Sequence, residues 1–153
     1  MNNQFAIQLI EQPGEETTDS LFDNEHVGVF WVDWREADDD IIRMTADALG
    51  IQELTCEGED EGEDEKLYVS YKKQRTLVPL EFEPGEQDKT LFALNQAIFP
   101  DYEIRYIKAS EGGDTIAFMA LDIDTWRNLE STFGTKVDDA FMRLTNGSSL
   151  FSN

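Results

Sequence analysis

The chain of 153 residues is poor in the residue types on which most enzymes and metalloproteins depend, with one histidine, one cysteine and only 12 basic side chains. The single cysteine, Cys56, excludes an internal disulfide, and no Cys/His cluster offers a zinc site. No apolar run approaches transmembrane length, and the first basic residue is Arg35, so a secretory signal is not indicated. These absences favour a cytoplasmic protein without a membrane segment.

Sequence motifs of catalysis are also missing. General acid–base catalysis most often recruits histidine, and the only candidate, His26, lies at the start of an apolar segment where an edge or core role is favoured. The chain contains no GxSxG, Walker or GxGxxG pattern. We therefore expect no enzymatic activity and no cofactor.

Acidic residues are present in large excess, since 33 acids against 12 bases give a formal net charge of −21. Nucleic acid and anionic membranes are disfavoured as partners, because both are bound through lysine and arginine. A basic protein is the favoured partner class, since opposite potentials steer encounter and select partners. The alternative is that the charge serves solubility alone. The sequence does not indicate an oligomeric state.

Length and a hydrophobic content of 40% predict one domain over residues 1–153. Alternating helical and hairpin patterns predict an α+β fold, with helices packed on a mainly antiparallel sheet. Residues 1–25 are poorly assigned: "FAIQLI" suits a strand or a helix, "EQPGEETTDS" suits a loop, and 148–153 should fray. The first predicted elements are a central strand over 26–34 and a helix over 36–49, which Asp33 caps and Gly50 ends. A hairpin of strands near 67–72 and 76–82 follows, then a helix over 88–99 ended by Pro100 and a hairpin of strands near 102–109 and 115–121. The last two are a helix ended by Gly134 and a helix from Thr135, with Val137, Ala140, Phe141 and Leu144 on one face.

The stretch "CEGEDEGEDEK" holds seven carboxylates in the nine residues from Glu57 to Glu65. Glycines and repulsion between neighbouring carboxylates predict an exposed loop there. Counted from Glu57, the acids at positions 1, 3 and 5 and the glycine at position 6 match an EF-hand loop. Position 12 is Tyr68 instead of glutamate, so we expect no specific calcium site. Asp122 and Asp124 are explained as helix caps instead of metal ligands.

A second acidic group precedes the predicted helix over 36–49. Asp38, Asp39 and Asp40 fall in its first turn, where the helix dipole favours anions. Trp34 lies at the junction between strand and helix, and an exposed tryptophan inside a charged rim is typical of an interface anchor. Trp31, within the strand, is expected in the core.

The segment "DTIAFMALDIDTWRNLESTFGTKVDDAFMRL", residues 114–144, resembles small cytosolic proteins that neutralise toxins in bacterial polymorphic-toxin and contact-dependent growth inhibition systems. In those proteins a strand ending in "FMAL" leads into a helix with a tryptophan and then a short final helix. The resemblance implies an immunity function, but it carries over no binding residue. Many nuclease toxins are basic because they engage phosphate, so an acidic inhibitor suits them.

The sequence thus leads to the hypothesis of a cytosolic immunity protein that binds a basic toxin, most readily a nuclease. Two alternatives remain open: a nucleic-acid mimic that inhibits a DNA-binding protein, for which a loop interrupted by glycine is poorly suited, and an acidic adaptor without enzymatic activity. The predicted partner-binding residues are Trp34, Asp38, Asp39, Asp40, Glu57, Glu59, Asp60, Glu61, Glu63, Asp64 and Glu65.

Overall fold

The α+β prediction is confirmed by a computed structural model, which describes residues 3–21, 28–61, 64–81, 83, 85–146 and 150–151, with the backbone alone at 59–61 and 64. Its strands form a four-stranded and a three-stranded antiparallel sheet, against which the helices pack. The elements are α1 (Gln4–Glu11), α2 (Glu15–Asp19), β1 (Val29–Asp33), α3 (Asp38–Leu49), β2 (Leu54–Glu61), β3 (Asp64–Tyr71), β4 (Gln74–Val78), α4 (Gln87–Ile98), β5 (Tyr102–Ile107), a 3₁₀ turn (Lys108–Ser110), β6 (Thr115–Asp122), α5 (Ile123–Phe133), α6 (Lys136–Ala140) and β7 (Phe141–Arg143).

The four-stranded sheet has the order β1-β6-β5-β7 and is covered on both faces. Its inner strand β6, "TIAFMALD", has six consecutive buried residues, as expected for a strand that contacts core on each side. Ile116 and Phe118 pack with residues of α3 and α4, whereas Ala117 and Met119 pack with residues of α1, α5 and α6. The two apolar clusters therefore share this sheet.

The three-stranded sheet has the order β2-β3-β4 and is covered on one face. Leu54, Val69 and Val78 point into the cluster that α3 and α4 share, whereas Arg75 and Leu77 are exposed. The predicted hairpin is confirmed, with its turn at Lys72 and Lys73, whose φ angles of 49° and 68° fit the positive values of a tight turn between twisted strands.

Other local predictions are confirmed as well. Strands β5 and β6 form the predicted hairpin. Gly50 ends α3 with a left-handed φ of 67°, and Phe99, before Pro100, leaves the helical region. Asp122 caps α5 by accepting a hydrogen bond from the backbone N–H of Thr125.

The start of the chain differs from the sequence predictions. "FAIQLI" lies in α1, and part of the predicted polar loop forms α2. The strand predicted as central is β1, which is the edge of its sheet, and His26 lies outside the described residues. Asp33 does not cap α3, because the helix begins at Asp38, later than predicted, and Ala37 occupies the N-cap position. The carboxylate of Asp33 accepts hydrogen bonds from the backbone N–H and Nε of Arg35 instead.

The end of the chain also differs. The last helix stops at Ala140, and Phe141 begins β7 because it pairs with Ile107 of β5 and packs edge-on against Trp126 at 5.1 Å. In the predicted frayed tail, the described residues Leu150 and Phe151 are docked. Their backbone N–H groups donate to the carboxylate of Asp88, both at 2.9 Å.

The predicted acidic loop over 57–65 is wrong. Residues Glu57–Glu61 continue β2 and residues Asp64–Glu65 begin β3, in a register that runs without interruption to Glu61 opposite Asp64. Charge repulsion and glycine content are local signals, but a ladder that starts in the buried segment from Leu54 propagates through hydrogen bonds across the strands. The register also places Lys66 opposite Glu59, a favourable pair of charges.

Candidate protein-binding surface

The β2–β3 hairpin extends past the third strand of its sheet. Strand β4 ends at Val78, opposite Leu67, so the pairs Glu59–Lys66, Asp60–Glu65 and Glu61–Asp64 form a two-stranded arm. We call this segment, residues 59–66, the acidic arm; of its predicted site residues, Glu63 alone lies outside the described residues. The described acidic residues of 57–65 are thus carried on a ladder and not on a loop.

Like charges oppose each other at the end of the acidic arm. Asp60 is in register with Glu65, and Glu61 is in register with Asp64. Acids directly opposite each other destabilise an antiparallel pair by up to about 1 kcal/mol. The arm therefore carries a charge distribution that its own fold opposes.

A groove of about 620 Å³ runs between the start of α3 and the β2–β3 hairpin. It brings together the two acidic groups that the sequence analysis proposed separately, since Asp38 and Asp39 line one side and Glu65 lines the other. The groove also contains apolar and basic residues that sequence reasoning missed. The lining residues are Ala37, Asp38, Asp39, Arg43, Cys56, Gly58, Glu65, Lys66, Leu67 and Leu80.

Asp38 lines this groove and is half-buried. Its Oδ1 accepts a hydrogen bond of 2.6 Å from the hydroxyl of Thr90 on α4. Burial raises the pKa of Asp38 above its ordinary value, and the nearby carboxylate of Glu86 acts in the same direction. Asp38 therefore joins the two helices, and a cation bound in the groove would favour its charged form.

Asp39 and Asp40 share one cation. The Nη1 of Arg43 lies 2.8 Å from a carboxylate oxygen of Asp39 and 2.9 Å from one of Asp40. The hydrogen bond from Arg43 lowers the pKa of Asp39. Helical spacings of three and four residues could have predicted these ion pairs from the sequence. They are half-exposed and therefore weak, so a guanidinium from another protein can compete for them at low cost.

Glu57 belongs to a different surface from the groove. It faces Tyr68 in the register, and its carboxylate lies 2.9 Å from Nε of Arg75. The guanidinium of Arg75 lies 3.9 Å from the centre of the Tyr68 ring. The arrangement is also incompatible with an EF-hand loop. Glu57 and Tyr68, at positions 1 and 12 of that motif, are paired residues of two neighbouring strands instead of the two ends of a calcium-binding loop.

Trp34 is 53% exposed, as expected for an interface anchor, but it does not line the groove. It borders a separate depression with the Gly112–Asp114 turn and Phe151. Its backbone carbonyl accepts a hydrogen bond from the side-chain amide of Gln87. Trp31, which was expected in the core, is half-buried against the cluster formed with α1, α5 and α6. The structure thus brings together Asp38, Asp39 and Glu65, with Asp40 beside them, and leaves Trp34 and Glu57 apart.

Within the described residues, no group of three or more histidine, cysteine, aspartate or glutamate side chains is arranged to hold a metal ion. None of the described helices combines the length and apolar character that a membrane crossing requires.

Comparisons of the chain with protein-family models, with curated proteins and with solved structures found no match.

Proposed function

We propose that the protein is a cytosolic immunity protein, which binds a basic toxin and neutralises it through the acidic arm and the groove beside it. The observation that carries this proposal is the pair of like-charge register positions, Asp60 with Glu65 and Glu61 with Asp64. A chain that keeps opposed acids on an ordered ladder loses stability by doing so. Lysine or arginine side chains of a partner would neutralise the repulsion between the opposed acids. The stability recovered in this way would add to the free energy of binding.

Charge also supports the kind of partner that is proposed. With a net charge of −21, the chain attracts basic proteins at long range and repels nucleic acid. A nuclease toxin needs a basic surface to hold phosphate, so inhibitor and substrate would compete for the same cations. The segment over 114–144, whose sequence resembles immunity proteins, forms β6, α5, α6 and β7.

The test is neutralisation of a toxin. The protein is used to capture its partner from the cells that make it, and the captured protein is expressed alone and together with the immunity candidate. We expect a basic protein that stops growth when expressed alone, and whose toxic activity falls to background when the immunity candidate is present in equimolar amount. Capture of a partner that is not basic, or whose activity the protein leaves unchanged, would contradict the proposal.

Nucleic-acid mimicry is the second candidate, and one observation favours it. The carboxylates were expected on a flexible loop, but they stand on strands, where alternate residues recur about 6.7 Å apart. The objection from flexibility therefore no longer applies. Inhibition of several unrelated DNA-binding proteins at similar concentrations would support mimicry, whereas inhibition of one cognate toxin supports immunity.

A further inference from the structure

The outer edge of β2 is a long strand edge without a partner in the described part of the chain. Strand β2 pairs with β3 on one side, through eight residue pairs in sequence from Leu54–Tyr71 to Glu61–Asp64. Natural edge strands are usually protected by proline, by charged side chains and above all lysine, by bulges or by shortness. The sequence of β2, "LTCEGEDE", contains neither proline nor lysine, and its register contains no bulge.

Several observations indicate that this edge is open. Thr55, Glu57 and Gly58 are exposed, and a Cβ atom placed on Gly58 would meet no atom within 4 Å. Among the described residues, the backbone of 54–58 forms backbone–backbone hydrogen bonds only with β3. Helix α3 contacts β2 on the groove side, where Cys56 and Gly58 form part of the lining.

We infer that the free edge of β2 is the docking site for an extended, lysine- or arginine-rich segment of the partner, which adds to the sheet as a fourth strand. The inference rests on the proposed function in that it assumes a basic partner. Backbone hydrogen bonds would hold such a segment, and its charges would select it, as in other cases of strand addition. Strand β2 carries four acids and no base, so cationic residues opposite them are favourable.

Charge also argues against the other possible occupant, a second copy of this chain. A second copy would bring another net charge of −21 to the same surface. Acidic residues thus protect the edge from pairing with itself, while leaving it open to a basic strand.

The test is an NMR titration of the full chain with a capped peptide of alternating lysine and threonine, about as long as β2. We expect chemical-shift changes centred on β2 and slowed hydrogen exchange of its outward amides. A matched peptide with the same charges, but with alternate backbone nitrogens methylated, cannot complete the ladder. It should bind at least about tenfold more weakly.

A protein variant gives a second control. Thr55→Lys places a cation on the free edge, whereas Gln74→Lys makes the same charge change at an exposed position on β4. We expect Thr55→Lys to weaken peptide binding at least about fivefold, and Gln74→Lys to change it less than about twofold.

Three outcomes would overturn the inference: equal binding of both peptides, shift changes away from β2, or no binding at millimolar peptide. Dimerisation of the free protein through β2 would show instead that a second copy is the occupant. Equal binding of both peptides would leave the proposed immunity function standing, because contact through charges alone would still neutralise a toxin. Conversely, pairing at β2 without any neutralised toxin would contradict the immunity function alone.

Discussion

Strands β6 and β2 are both eight residues long, but they occupy opposite situations. Strand β6 lies inside the four-stranded sheet, and its sequence "TIAFMALD" is apolar between the first threonine and the final aspartate. Strand β2 is the edge of the three-stranded sheet, and four of its last five residues are acidic. Packing accounts for the six buried residues 116–121 of β6, whereas in β2 it accounts only for the first half. The acidic second half of β2 is therefore the part of the strand that we assign to binding a partner.

The largest loss of stability should come from a substitution in the core of the four-stranded sheet, which is covered on both faces. Phe118 has no exposed surface and stacks on Phe30 with ring centres 5.4 Å apart. Phe118→Ala should lower the free energy of unfolding by about 3–5 kcal/mol, because it leaves a cavity between two layers. Urea denaturation measures the change. Leu77→Ala, at a residue 50% exposed on the three-stranded sheet, should cost less than about 1 kcal/mol. Similar losses in both variants would contradict the distinction between the two sheets.

A smaller loss of stability should come from removing the charge of a carboxylate that is paired with a buried arginine, unlike the opposed acids of the acidic arm. Glu130 accepts a hydrogen bond of 2.6 Å from Arg105, a buried arginine that also binds Glu103 at 2.8 Å. Glu130→Gln should cost about 1–3 kcal/mol at pH 7, since it leaves a buried cation with fewer anionic partners. Glu53→Gln, at an exposed position before β2, is the matched control and should change stability by less than about 0.5 kcal/mol.

The pH dependence of Glu130→Gln has a defined sign. The hydrogen bond from Arg105 lowers the pKa of Glu130 in the folded protein. Its contribution is therefore present above the unfolded pKa of about 4.3 and is lost as the pH falls through the folded value. The difference between wild type and Glu130→Gln should shrink in that acidic range. A difference that grows on acidification would show that the pair is misassigned.

The smallest effect on stability should be a gain instead of a loss. Glu65→Gln removes one of two opposed acids in the acidic arm and should raise the free energy of unfolding by about 0.2–1 kcal/mol at low salt. The gain should decrease as salt screens the charges. Glu57→Gln is the matched control in the same hairpin, because Glu57 is paired with Arg75, and it should be neutral or slightly destabilising. A loss of stability in Glu65→Gln would contradict the proposed strain in the arm.

Local signals account for the part of the fold that the sequence could predict. Helix α3 with its stop at Gly50, helix α4, and the hairpin of β5 and β6 each follow from apolar spacing and turn residues nearby in the chain. The missed elements depend on distant partners. Phe141 is in a strand because β5 lies beside it, and the acidic half of β2 is in a strand because β3 continues the ladder.

The candidate site also has a part that the sequence could predict and a part that it could not. Its acidic residues were predicted from composition, and their charge needs no structure. The groove was not predicted, because it exists only when the hairpin folds beside the start of α3 and brings Leu67 and Leu80 to Asp38. The half-buried state of Asp38 and its bond to Thr90, 52 residues away in the chain, were equally beyond local reasoning.

The most direct test of the central claim is the rate at which the captured partner associates with a variant whose acidic arm is neutralised. Amides replace Glu59, Asp60, Glu61 and Asp64, and in the control variant amides replace four exposed acids elsewhere, namely Asp19, Asp124, Asp138 and Asp139. We predict that neutralising the arm lowers the association rate at low salt by about tenfold or more, flattens its salt dependence, and changes the dissociation rate by less than about threefold. An association rate equal to that of the control variant would contradict the assignment of the acidic arm as the surface that meets the partner.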